Sequence, residues 1–176
     1  MLLSPGVAEL IIGSEAGADT VISGEIRTGR GERLVEEASV SGVSAVVELR
    51  SENDRAFSGF TRSQRRWELE LNDQVPLDLT LDSGVGRNLL DLRGLTLTSL
   101  RIDGGVGEVS VTLPETGGYS GRLNLGVGAT TIRIPEGVAA TIQADTGIGA
   151  INVRGDFVRA GDRYLSPDFE TATERI

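Results

Sequence analysis

The sequence predicts an all-β fold, a β-solenoid in which short coils stack into a parallel β-helix-like array, and three observations predict it. A Gly-apolar-Gly triplet occurs four times, as Gly84-Val85-Gly86, Gly105-Val106-Gly107, Gly126-Val127-Gly128 and Gly147-Ile148-Gly149. Its steps are equal: 105−84, 126−105 and 147−126 all come to 21. When the four units are laid over one another, apolar residues fall in columns: Leu81, Ile102, Leu123 and Ala144 before the glycines, Leu90, Val111, Ile132 and Val153 after them. Within each block the apolar spacing is two, the strand period. A fixed period in the twenties marks a stacked repeat, each unit burying its apolar face against its neighbours. A meander of hairpins is the alternative, but there identical positions do not meet, whereas stacked coils fill their interior with ladders of like residues.

The expected organisation is one domain over residues 1–176, with degenerate rungs at 7–71, regular 21-residue repeats at 77–157 and a tail at 158–176, about six rungs in all. Val7 to Ile12 reads as a strand, and Glu15-Ala16-Gly17 followed by Val21-Ile22 as a degenerate first rung. Gly24 to Glu37, rich in Arg, Gly and Glu, reads as a charged loop between rungs. Val40 to Leu49 alternates and places Gly42 two periods before Gly84, which suggests a second degenerate rung. Trp67-Glu68-Leu69-Glu70-Leu71 alternates cleanly, and Leu69 lies one period before Leu90 (90−69 = 21), as the closing strand of a third rung. Asn72 to Pro76 is the turn into the regular array. Beyond it, Ser166-Pro167-Asp168 breaks the strand pattern.

Inside each repeat the expectation is strand, glycine turn, strand, second turn. Asp82, Asp103, Asn124 and Asp145 precede the first glycine by two, where a short polar side chain can start a turn. The Val or Ile between the glycines is expected to point inward as a corner residue. Pro114-Glu115 and Pro135-Glu136 mark the second corner, since proline cannot donate to the ladder.

Composition removes much chemistry. Cysteine and histidine are absent, and all 17 basic residues are arginine, so thiolate, imidazole and Schiff-base catalysis have no residues to run on. No cofactor is expected. The net charge of −9 argues against nucleic acid. No window approaches the ~20 apolar residues of a membrane helix, and Met1 to Pro5 lacks the basic flank and apolar run of a secretion signal. The chain is therefore expected to be cytoplasmic, or to have its leader or anchor outside this sequence.

Val75 to Leu79, Asp82 to Gly86, Leu90 to Leu95, Leu100 to Asp103, Gly105 to Gly107 and Leu113-Pro114 resemble the bacterial toast-rack family, related to the C-terminal domain of LiaF-type cell-wall-antibiotic-response proteins and to adhesin-like β-strand repeat domains. Ala8-Glu9-Leu10 to Gly24 and Gly161 to Pro167 are similar to it as well. The resemblance implies a β-solenoid at the bacterial cell envelope, tethered by a membrane segment and without catalytic residues. In similar chains further strands follow the Ser-Pro turn.

Two groups of residues are candidate sites. The segment Arg50 to Arg66 is locally basic, with Arg50, Arg55, Arg62, Arg65 and Arg66 around Phe57 and Phe60, and such an arm can grip anionic glycans, phosphates or an acidic protein face. The plainer reading, and the preferred one, is a solvated inter-rung loop whose two phenylalanines pack back on the solenoid. The column of Asp82, Asp103 and Asp145 is a weak candidate for calcium, since stacked carboxylates lie about 5 Å apart; Asn124 interrupts it. The same column, with Asp78, Asp91 and Glu108 as possible additions, supports the alternative function, an extracellular glycan-binding or glycan-cleaving β-helix. The primary reading is a non-enzymatic, envelope-associated scaffold that binds a protein partner or itself.

Overall fold

A computed structural model describes residues 1–42, 44–53, 65–116, 118–136, 138, 141–154, 158–161 and 163–166, leaving aside the side chains of residues 142–147 and 151. Among the described residues there is no helix. The strands are β1 (Leu2–Gly13), β2 (Ile22–Arg27), β3 (Glu32–Ser41), β4 (Ser44–Asn53), β5 (Arg66–Leu71), β6 (Leu77–Asp91), β7 (Leu97–Thr112), β8 (Ser120–Arg133), β9 (Thr141–Arg154), β10 (Val158–Ala160) and β11 (Arg163–Leu165).

β6 to β9 form a parallel ladder in which like residues meet. Leu79 pairs with Leu100 and Leu100 with Gly121; Val85, Val106, Val127 and Ile148 follow one another in a row. The glycine triplets do not break the strands. β6 and β7 run for 15 and 16 residues and β8 and β9 for 14 each, so the expected strand-turn-strand is one long bent strand. The bend changes which residues face inward. In β6, Leu77, Leu79, Leu81 and Ser83 are buried, then Asn88 and Leu90; the inward set moves from odd to even positions across the glycines.

That shift overturns the expected direction of the apolar residue in the triplet: Val85, Val106, Val127 and Ile148 point out to solvent. Inside the bend the space is already filled, by Ser83 and Asn88 in β6, by Val109 beside Gly104 in β7, and by Leu125 and Thr130 in β8, with Leu125 lying over Gly104. The glycines themselves are stacked backbone on backbone. Gly107 and Gly128 have φ of 144° and 145°, and a Cβ on either would fall on the carbonyl oxygen of the glycine one strand back, Gly86 or Gly107. The aspartate column is corrected too. Asp82, Asp103 and Asn124 lie in mid-strand, where the backbone is committed to the ladder, and do not start turns.

The N-terminal layers are built differently. β1 lies between β6 and the layer made by β4 and β5: Leu3 pairs with both Leu49 and Leu81, and Ile12 with both Leu69 and Leu90. Leu69 and Leu90 are therefore not neighbours, although they stand one repeat period apart in sequence; β1 lies between. β4 covers the start of β1 and β5 its end. Gly42 is a hairpin residue rather than a triplet equivalent, because β3 and β4 are antiparallel from Glu32 and Asn53 to Ser41 and Ser44. Gly24 to Glu37 is not simply a loop. Most of it is strand, with β2 antiparallel to β5 and β3 antiparallel to β4, so the two strands cross the end of the stack in succession. Its charge fits that place, for an end strand turns one whole side to solvent. Glu15-Ala16-Gly17 is a connection, pinned by the buried Asn72, whose amide donates to the carbonyls of Gly17, Ala18 and Thr20 at 3.2, 3.3 and 2.9 Å.

One apolar core runs through these layers. Leu3, Leu10, Ile12, Trp67, Leu71, Leu79, Leu81, Leu92, Leu95, Leu100, Ile102 and Ile132 are its fully buried large side chains. At the other end, β11 pairs antiparallel with Thr141–Gln143 of β9, and β10 with β11.

Candidate functional site: an exposed aliphatic ridge

The outward turn of the triplet residues makes a surface feature absent from the sequence-based expectation. Val7 of β1 pairs with Val85 of β6, and the row continues through Val106, Val127 and Ile148. The five side chains are 46, 46, 51, 44 and 71% exposed. At the ~4.8 Å spacing of neighbouring strands, they form a straight aliphatic ridge about 19 Å long. Glycines flank each of the last four, so no neighbouring side chain on the same strand shields them. Beyond the glycines the flanks become polar, with Asp82, Asp103 and Asn124 on one side and the Arg87–Glu108 ion pair, 3.1 Å, on the other. An apolar strip with a polar rim is the anatomy of a protein contact rather than of a catalytic cleft.

The aspartate column is held by its own neighbours. Asn124 donates to Asp103 Oδ1 at 2.8 Å and Arg101 to its two oxygens at 2.5 and 3.2 Å. The Asn124 amide, then the Arg101 guanidinium, hold the Asp103 carboxyl below its usual 3.8. Asp82 pairs with Asp103 through the backbone ladder, Asp145 is described in its backbone alone, and among the described residues no three acidic side chains converge as metal ligands. Tyr119, the aromatic among the described residues of the regular repeats, is 6% exposed, and burial pushes its phenol well above the usual range. It is no platform for a sugar ring. Asp78 and Glu108 are exposed on their strands, and Asp91 is bound in a two-pronged pair by Arg93 at 2.6 and 2.8 Å.

Of the arginine arm, Arg55, Phe57, Phe60 and Arg62 lie outside the described residues. The three described arginines each meet carboxylates of the chain. Arg50 lies 3.0, 3.3 and 3.4 Å from Glu37, Glu48 and Glu52, Arg65 2.8 Å from the buried Glu32 carboxylate, and Arg66 beside Glu68 and 3.7 Å from Glu9. Leu49 stacks on Leu3 and Trp67 on Leu10, so where β1 takes 10−3 = 7 steps across the bend, this layer takes 67−49 = 18.

The ridge was not predicted, yet its signal was in the text. The inward columns on either side of the triplet have opposite parity, Leu81 odd and Leu90 even, and a strand can change parity only by turning an odd number of residues out of phase.

Residues 1–133 match the family model described as "N-terminal domain of toast_rack, DUF2154". No curated protein matches the chain. Among solved structures the chain is similar to a "putative cell adhesion protein" from Clostridium sporogenes, with a TM-score of 0.87 and 21% identity over 99% of this chain and 84% of that one. At that identity the likeness shows the fold, which is β-solenoid-like. No helix among the described residues is long and apolar enough to cross a membrane.

Proposed function

The chain belongs to the toast-rack family, and from that premise we propose that it is a non-catalytic domain of the bacterial cell envelope that binds a partner protein along its aliphatic ridge. The observation that carries this reading is the row Val7, Val85, Val106, Val127 and Ile148, apolar and exposed, the last four with glycine on both sides. A flat strip of β-branched residues offers contact area at little side-chain entropy, since such residues have few rotamers to lose. The fitting partner presents an apolar extended segment. That a structure with this fold is described as a "putative cell adhesion protein" adds support for a contact role at the cell surface. For architecture, we read residues 1–176 as one domain of six stacked layers, β4 with β5, then β1, β6, β7, β8 and β9, with a 21-residue coil from β6 onward; the pairing registers support this count.

The test is crosslinking capture from bacterial envelope with the wild-type domain beside a Val85→Glu/Val106→Arg/Val127→Glu variant that keeps the wild-type far-ultraviolet spectrum. Loss of the wild-type partner from the variant supports the ridge. Equal capture by both overturns it. A third bait, with Arg55, Phe57, Phe60 and Arg62 replaced by serine, measures what the basic segment contributes; unchanged capture assigns it none.

A further inference from the structure

Among the described residues the sheet has an open edge at β3, the terminal strand of the path that runs from β10 through β11, β9, β8, β7, β6, β1 and β4. Ten residues long, β3 pairs with β4 on one side, and its residues 36–41 are exposed. Alternate backbone groups along it face outward. Long edge strands are normally blunted by charge, proline or a bulge. β3 has such protection only in part. Glu32, Arg33, Glu36 and Glu37 charge its first six residues, whereas Ala38 to Val47, the hairpin tip, holds no charge. Val40 and Val46 are 79 and 60% exposed there.

We infer that β3 is a dimerisation edge, pairing antiparallel with β3 of a second copy of this chain about a two-fold axis through Ala38. Charge lets a second copy pair here and, together with the length of β3, limits the register. A two-fold perpendicular to the sheet sets one residue against its own copy. Centred on Glu36 or Glu37, it opposes two glutamates directly, which is destabilising. Centred on Ala38, it sets Glu37 against Ser39, Glu36 against Val40 and Val35 against Ser41, seven residues a side with no like charges opposed. Each stack lies on the far side of its own β3, so the paired edges hold the two stacks apart. The edge reading does not rest on the ridge, since the two surfaces belong to different strands.

The chain has no cysteine, which gives a clean probe. Opposed residues of an antiparallel pair have Cα atoms about 4.5–5.5 Å apart, within disulfide reach. The experiment is analytical ultracentrifugation of the wild type and Ala38→Lys, with oxidative crosslinking of Ala38→Cys against a Val85→Cys control. The wild type is expected to dimerise at high micromolar concentration. In Ala38→Lys, where two ammonium groups are opposed, the dimer should weaken by at least about tenfold. A disulfide dimer should form much faster at position 38 than at 85. A monomeric wild type overturns the inference. So does a dimer that is indifferent to Ala38→Lys, or one that crosslinks faster at 85, which places the contact on the ridge instead.

Discussion

The two ends of this molecule reach the same parallel stacking by different routes. From β6 to β9 each strand lies on the one before it in sequence, and identical columns do the packing. From β1 to β5 each layer is assembled from distant pieces: β1 is inserted between β5 and β6, two strands share one layer, and two more cross the end antiparallel. Repetition makes the first region insensitive to any one polar contact. The second depends on particular ones, such as Asn72 holding a loop and Glu32 meeting Arg65, Ser51 and the Gly29 amide. Regularity in sequence thus substitutes for specific polar ties.

That contrast can be broken or sharpened by substitution. The largest effect is expected from Ile132→Asp in the regular ladder, where a fully buried side chain becomes an unpaired carboxylate, at roughly 4–5 kcal/mol in chemical denaturation. A wild-type midpoint would remove its column from the core. Gly128→Ala should follow at roughly 3–4 kcal/mol, because the new Cβ meets backbone that cannot move aside. Gly42→Ala, at φ 61° with open space around it, should cost about 1 kcal/mol. Equal losses at the two glycines would show that backbone conformation alone matters, and not stacking.

Asn72→Ala should cost about 2 kcal/mol, since the Gly17, Ala18 and Thr20 carbonyls lose a buried donor and the Gln74 amide its acceptor. Hydrogen exchange should rise first in residues 14–21; exchange that rises evenly over the whole chain would mean that the loop is not separately tethered. The buried Ser83–Asn88 pair in the regular region offers the matching case. Asn88→Ala should cost roughly 1–2 kcal/mol, while Ser83→Ala/Asn88→Val, which removes both partners, should lie within about 1 kcal/mol of wild type. A double variant as damaged as Asn72→Ala would contradict the claim that repetition substitutes for polar ties.

The smallest effect concerns pH. Asp103 has a folded-state pKa held below 3.8, chiefly by Asn124, so its contribution to stability is present above the unfolded value and fades as pH falls through the folded one. The contribution is a few tenths of a kcal/mol, because the side chain is partly exposed at the surface, where such contacts are screened. In Asn124→Ala the carboxyl midpoint, followed by NMR, should move up toward 3.8; an unmoved midpoint would assign the shift to Arg101.

The sequence made the regular region legible because its strands neighbour one another in order, so columns of Leu, Ile and Val mark both register and core. It misdirected the eye wherever one segment enters between two others. Leu69 and Leu90 share a phase and no contact, since Ile12 lies between them. The charges of Glu25, Arg27, Glu32 and Arg33 resembled a loop because an end strand needs no alternation. The ridge escaped notice for a third reason: a β-branched residue between glycines looks like core until the bend is known to exclude it.

The place of β1 also sets the order in which the structure can be made. Leu3 is translated far ahead of Leu81, the partner that covers it on one side, so the strand emerges early and is enclosed late. Closing that long separation is the slow, entropy-limited step. Once β1 and β6 have met, β7, β8 and β9 each find a finished template one repeat behind them. Growth from that point can keep pace with synthesis, and a defect in β1 would halt assembly of strands that never touch it.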